Sequence, residues 1–231
     1  MIIREKVRRF WTERAGITDV PRFESQVNFE NDAAIADLRV KTEIEVINAE
    51  FRLNESDILV DLGAGNGRFS LLFAPKVRKV VSVEYINDFT EIIKEQADKR
   101  GFGNIEIINS PAEDYCRNDF ADVVFISGLL NYLDSGQYSK TLSNVSKTIK
   151  QGGRLFMRET ISVLENEFIV DKFSEELGSH YCSIYRTGGG HIKAFLEHRF
   201  RLEKFAPFFE DGSVLNKRLE TRLYYFSFIK I

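Results

Sequence analysis

"ILVDLGAGNGRFS" spans residues 58–70 and sets Gly63, Gly65 and Gly67 within five positions, directly behind the apolar run Ile58, Leu59, Val60. A strand that ends in glycines lets the backbone turn sharply and exposes main-chain N–H groups that a Cβ would screen from a ligand. Nucleotide-like groups use such loops, and the spacing narrows the choice. The dinucleotide fingerprint G-x-G-x-x-G needs its third glycine where Arg68 stands, and Gly67 comes one residue early.

Two acids narrow it further. Asp61 stands two residues before the first glycine, where a carboxylate repels a pyrophosphate and suits a ligand bearing an ammonium group. Glu84 ends the next apolar run, "KVVSVE", 21 residues after Gly63, and an acid there can accept hydrogen bonds from both hydroxyls of a ribose. Together these features select a ligand with a ribose and an ammonium but no phosphate. A tight turn that merely uses glycine would explain neither acid.

Outward from the loop, short β-branched runs alternate with longer amphipathic segments: "DILVDL", a helix from Gly67, "KVVSVE", a helix over about 88–100, "IEIIN", "DVVFIS", a helix over about 137–150, and "GRLFMRE". This alternation predicts βαβ units, hence an α/β fold with a mostly parallel sheet covered by helices on both faces. Asp88 and Glu91 read as a capping-box start for the second helix, with Gly101 as its stop. Tyr138, Leu142, Val145 and Ile149 form the stripe of the third, which should end at Gly152 and Gly153. Residues 201–208 and 220–231 read as a short and a long strand, an antiparallel hairpin closing the sheet at its C-terminal end.

Before this core, Val40, Ile44, Ile47 and Phe51 share one face of a helix over about 32–51. Ile3, Val7, Phe10 and Trp11 share a face in the basic stretch 4–14, so its arginines read as the solvated side of an amphipathic helix. Between Thr160 and Gly190 the pattern is neither helical nor extended, and this aromatic, glycine-containing stretch is the expected substrate lid.

Composition sets the outer bounds. With 231 residues, 43% apolar and 29% charged, the chain suits one globular domain: a helical cap (1–51), a binding core (57–159), the lid (160–190) and a C-terminal helix and hairpin (191–231). The four prolines, Pro21, Pro75, Pro111 and Pro207, are spread out and mark no linker. No apolar run reaches the length of a membrane span, and the first residues lack a secretory signal, so a cytoplasmic location and no membrane partner are expected. Cys116 and Cys182 lie near no histidine cluster; both are expected to be reduced and buried, with no zinc site or disulfide framework. A net charge of −3 argues against a nucleic-acid partner, and an oligomer stays open.

"ILVDLGAGNG" with "VVSVE" resembles the first two motifs of the class I S-adenosylmethionine (SAM) dependent methyltransferases. The resemblance covers about three quarters of the chain and implies a Rossmann-like fold with a seven-stranded sheet. It implies that Asp61, Gly63, Ala64, Gly65, Asn66 and Gly67 line the methionine and ribose part of SAM, that Glu84 holds the ribose with Tyr85 beside it, and that no metal is needed. Where family members read Gly-Asp-Ala-Glu, this chain has "INSPAEDY": Pro111 replaces the aspartate, leaving Ala112 to offer its N–H to adenine and Glu113 or Ser110 to take the amine. "FISGLLNYLD", with Ser127, is similar to the segment at the SAM edge and is not the Asn-Pro-Pro-Tyr type of DNA-adenine methylases.

SAM brings an activated methyl, so the protein must align an acceptor and exclude water. A hydroxyl acceptor gains from a base; a neutral amine needs none. His180 and His191 bracket the aromatic, glycine-rich segment "HYCSIYRTGGGH" and are candidate bases, against a surface or core role; His198 reads as a surface or core histidine. Arg158 and Glu159, ending the fifth strand, divide between substrate contact and a structural ion pair. Tyr132, Tyr181, Tyr185 and Arg186 are candidates for contact with a polar or anionic acceptor, against simple packing. The expected function is methylation of an O or N atom of a small molecule. Protein or RNA methylation, or a silent SAM-binding regulatory subunit, are the alternatives.

Overall fold

The computed structural model describes residues 4–17, 23–28, 30, 32–174 and 179–231. Ile3 and Pro21 lie outside them. Helices α1 (Arg4–Ala15), α2 (Ser25–Asn28) and α3 (Ala33–Glu50) precede strand β1 (Ile58–Leu62) and helix α4 (Arg68–Phe73). Then follow β2 (Lys79–Glu84), α5 (Asn87–Arg100), β3 (Ile105–Asn109), β4 (Ala121–Ser127), α6 (Ser135–Thr148) and β5 (Ile149–Ser162). The chain ends with β6 (Phe168–Ser174), β7 (Ser179–Tyr185), α7 (Gly188–Glu197), β8 (Phe200–Pro207) and β9 (Thr221–Lys230).

Seven strands form one sheet in the order β3-β2-β1-β4-β5-β9-β8. The first five are parallel, and β9 runs antiparallel to both β5 and β8. The expected α/β architecture with a closing hairpin is what the chain adopts. Alternation along the strands sends neighbours to opposite faces. Val60, Val81 and Val124 pack with Leu142 and Val145 of α6 and Phe195 of α7 on one side. Leu59, Val80, Val123 and Phe125 pack with Ile47 of α3 and Phe69 and Phe73 of α4 on the other. This order places the loop after β1 at the middle of the sheet, where the strand order reverses and open α/β sheets bind ligands.

Several expectations need correction. Helix α5 begins at Asn87 behind Ile86, and no side chain caps it; the Glu84 carboxylate instead accepts the Tyr85 and Ile86 amides, each at 2.8 Å. Helix α6 starts on a capping box of Asp134 and Gln137 and yields directly to β5, so Gly152 and Gly153 lie inside the strand, where its register against β4 shifts. Cys182 is buried but Cys116 is exposed. Along α1, Arg14 is not on the solvated face: it is 3% exposed and donates to the Ser25 and Gln26 carbonyls at 2.7–3.0 Å.

The stretch expected to be irregular is extended. After β5, β6 and β7 pair antiparallel as a separate two-stranded sheet. Cys182 and Ile184 of β7 meet Val7 of α1, and Tyr181 and Tyr185 meet Phe10. Helix α1 and this hairpin thus pack against each other.

Candidate functional site

A cavity of about 680 Å³ lies at the C-terminal edge of the parallel strands. One wall is the glycine loop. Gly63, Gly65 and Gly67 all have positive φ (+78°, +55° and +83°), a region that costs an L side chain energy. Gly63, Ala64 and Gly65 line the cavity. Gly67 does not: its missing side chain admits Ile93, since a Cβ there would stand 2.7 Å from Ile93 Cγ1. Asn66 is fully buried, and its amide nitrogen donates to the Phe23 carbonyl at 2.8 Å and to Gln26 Oε1 at 3.2 Å. Asn66 and Gly67 therefore brace the loop from behind.

Asp61 is also behind the loop. Its Oδ2 accepts from the Ser70 hydroxyl at 2.6 Å, and Ser70 accepts from Ser82 at 2.7 Å. Burial pushes its carboxyl up to about 6. Its place is under the loop and not on the cavity wall.

Glu84 does face the cavity. Oε2 accepts the Gly65 amide at 2.8 Å, so the acid ending β2 and the loop ending β1 are tied together. Burial pushes its carboxyl up to about 7 against the pull of those amides. Three N–H bonds leave acceptor capacity on the carboxylate. Tyr85, Ser110, Pro111, Ala112 and Glu113 continue this wall. Glu113 Oε1 accepts from Gln137 at 2.8 Å and pairs with Arg4 at 3.3 Å.

Ser127 ends β4 and Arg158 lies beside it within β5, both on the cavity, with Arg158 Nη1 donating to Ser127 Oγ at 3.1 Å. Arg158 Nη2 also donates to Glu43 of α3, as does Arg68 Nη2, and Arg39 Nη1 lies 4.0 Å from Glu43 Oε1. Sequence reasoning missed this cluster. Arg39 and Glu43 are one turn apart on the inward face of α3, with Ala36, Val40 and Ile47, so their signal was charge at core-facing spacing.

Opposite stands an aromatic wall of Phe10, Trp11, Tyr132, Tyr181 and Tyr185. The Tyr181 and Tyr185 hydroxyls lie 2.8 Å apart, with Tyr132 3.4 Å from Tyr181. Burial raises all three phenols well above their ordinary value. Phe209, Leu215, Arg218 and Leu223, from the segment between β8 and β9 and the start of β9, complete the enclosure.

The remaining candidates lie elsewhere. His191 is fully buried in α7, its Nδ1 3.0 Å from the Tyr138 hydroxyl and its ring against Phe226; burial holds its pKa down at about 3. It is a core histidine off the cavity. His180 sits on the hairpin's outer side, bonded to Asp171 and 3.4 Å from Lys6 Nζ. Glu159 is fully buried and accepts the Leu129 and Leu130 amides at 3.2 Å; burial lifts it to about 7. Arg186 donates to the Leu130 and Leu133 carbonyls at 2.7 and 2.8 Å and covers the Tyr138 ring, which makes it a brace for the turn after β4.

Residues 59–153 match a family model described as a methyltransferase domain. Phosphoethanolamine N-methyltransferase 1 of Triticum aestivum is 31% identical over 108 residues, 44% of this chain and 21% of that protein. A 23S rRNA uracil-C5 methyltransferase of Aliivibrio fischeri is 36% identical over 157 residues, 68% of this chain and 33% of that protein. The chain spans from 21% to 50% of the length of the curated relatives it matches. The solved Haemonchus contortus phosphoethanolamine N-methyltransferase 1, in complex with phosphoethanolamine and S-adenosylhomocysteine (SAH), superimposes with a TM-score of 0.69 at 20% identity, covering 97% of this chain and 48% of that one. A domain match through the glycine loop, the acid of β2 and four of the five parallel strands shows a methyltransferase domain at residues 59–153, on a sheet order and fold shared with class I SAM-dependent methyltransferases.

Proposed function

We propose that the protein transfers the methyl group of SAM to a small molecule enclosed with it in the 680 Å³ cavity. The observation that carries this reading is the convergence of these groups: the glycine loop, Glu84, the arginines and the tyrosines all line one cavity, beside which α1 packs on the hairpin. Clefts of this size suit small ligands.

In this reading the Gly63–Gly65 backbone cradles the methionine part, Glu84 takes the ribose hydroxyls with Tyr85 alongside, and Ala112 and Glu113 meet the adenine. Asp61, Asn66 and Gly67 position the loop from behind. When bound, SAM supplies an electrophilic methyl on a sulfonium. The chain's residues hold the acceptor in line and keep water out, with Trp11, Tyr132 and Tyr181 as an apolar face. Among the described residues no histidine lines the cavity, and the raised tyrosines are poor bases. This favours an acceptor whose lone pair is ready without a base, a neutral amine over a hydroxyl. The acceptors named for the phosphoethanolamine relatives are in keeping with this.

Radiolabelled SAM incubated with the protein and separate metabolite, protein and RNA fractions tests the proposal. Label in the small-metabolite fraction is expected. Label confined to RNA would establish the reading favoured by the rRNA methyltransferase match, and label confined to protein would equally displace the small-molecule reading.

A further inference from the structure

Three guanidiniums converge on one carboxylate at the wall of the cavity. Arg39, Arg68 and Arg158 each line it, with side chains only 6–9% exposed, around Glu43, whose side chain is fully buried. Arginine keeps its charge in such surroundings, so among the described residues Glu43 alone pairs directly with three charges, while Asp61 and Glu159 act on Arg68 and Arg158 from further off. Glu30 is the other acid near Arg39, and it pairs with Lys217 Nζ at 3.0 Å. Hydrogen-bonding capacity is left over too: Arg39 Nε, Arg68 Nη1 and Arg158 Nε are buried without a partner among the described residues. Buried charge is retained where something compensates it.

The sheet order separates the two halves of the cavity. The glycine loop follows β1, Glu84 ends β2 and Ala112 follows β3, whereas Ser127, ending β4, and Arg158, beside it in β5, lie on the opposite side of the loop. A methionine carboxylate held at the loop would take up donors on that side, those of Arg68 among them, and leave the free donors of Arg39 and Arg158 at the β4–β5 end. We propose that this end is an anion site formed by Arg39 and Arg158 on the Glu43 platform, and that the methyl acceptor carries a compact oxyanion, a carboxylate or a phosphate. Planar guanidiniums suit both groups in paired hydrogen bonds. The substrate-class statement rests on the methyltransferase reading; the anion site stands on the arginines alone.

Isothermal titration with inorganic phosphate and with acetate, on free and on SAH-saturated protein, tests it. The site should bind one of these anions with SAH already in place, and whichever binds more tightly identifies the oxyanion. Arg39→Gln should weaken that binding about tenfold or more while SAH affinity stays within about twofold. Anion binding abolished by SAH would assign the cluster to the cofactor's own carboxylate and overturn the proposal, as would no anion binding to either form. If Arg39→Gln fails to fold, the competition on the unaltered protein still decides. Absence of SAH binding, with anion binding intact, would instead overturn the methyltransferase reading.

Discussion

The Gly65 amide donates to Glu84 Oε2 at 2.8 Å, so the acid proposed to hold the ribose also fastens the loop proposed to hold the methionine part. Glu84→Gln keeps the shape but presents an NH₂ where one of the two oxygens accepts amides. SAH affinity should fall at least about tenfold, the worth of one charged hydrogen bond, as read by calorimetry. The same affinity in wild type and variant would remove Glu84 from the ribose site. Because its carboxyl is held at about 7, wild-type affinity should also decline as pH drops through that value.

Stability should carry the mark of the buried acids. Burial raises Asp61 to about 6 and Glu84 and Glu159 to about 7, from 3.8 and 4.5. Between those limits the native state binds more protons than the unfolded chain. Their contribution is therefore full at low pH, is lost as pH rises to about 7, and levels off above, with a slope on the order of 1 kcal/mol per pH unit per group. In Glu159→Gln, urea denaturation across pH 5–7 should show a smaller loss of stability with rising pH than wild type does. An identical pH profile would mean that Glu159 is ionised at its ordinary value.

His191 gives the opposite sign and a catalytic test. Its native pKa of about 3 lies below the ordinary 6.5, so the unfolded chain gains the proton first and this residue's contribution is lost as pH falls from 6.5 towards 3. His191→Gln should lower stability by about 1–3 kcal/mol through the Tyr138 partnership and the altered packing. Turnover per folded molecule should not change. A well-folded variant without turnover would restore His191 as a base.

Gly67→Ala should destabilise by about 1–3 kcal/mol, combining a strained φ with a clash. Gly101 provides the control, with φ +69° but nothing within 4 Å of its Cβ position. Gly101→Ala should therefore cost less, and Ile93→Ala should recover part of the loss at Gly67 in a double-mutant cycle. Equal melting temperatures for the two glycine variants would show that Ile93 yields freely.

The parallel strands, their helices and the closing hairpin were legible because each carries a period: β-branched runs for buried strands, a three-to-four repeat for α6. The β6–β7 hairpin was not. Its outward positions include Ile169 and Phe173, both exposed, which blurs the apolar and polar alternation. The loop, Glu84 and the tyrosines were readable from type and spacing. Of the two histidines weighed as bases against a surface or core role, His191 packs beside Phe226 and His180 lies on the hairpin against Asp171, and residue type near a glycine tract says nothing of that packing. Arg39 and Glu43 were passed over because charge on a helix ordinarily marks the solvent side, and only the fold shows them turned inward.

Trp11, the chain's one tryptophan, stands on the cavity wall with its ring 5.1 Å from Phe10, 5.2 Å from Tyr132 and 6.3 Å from Phe89. Its emission, excited at the red edge of the aromatic band, therefore arises from the site alone. The protein carries a built-in optical probe, through which occupancy and its kinetics can be followed without a label or a coupled assay.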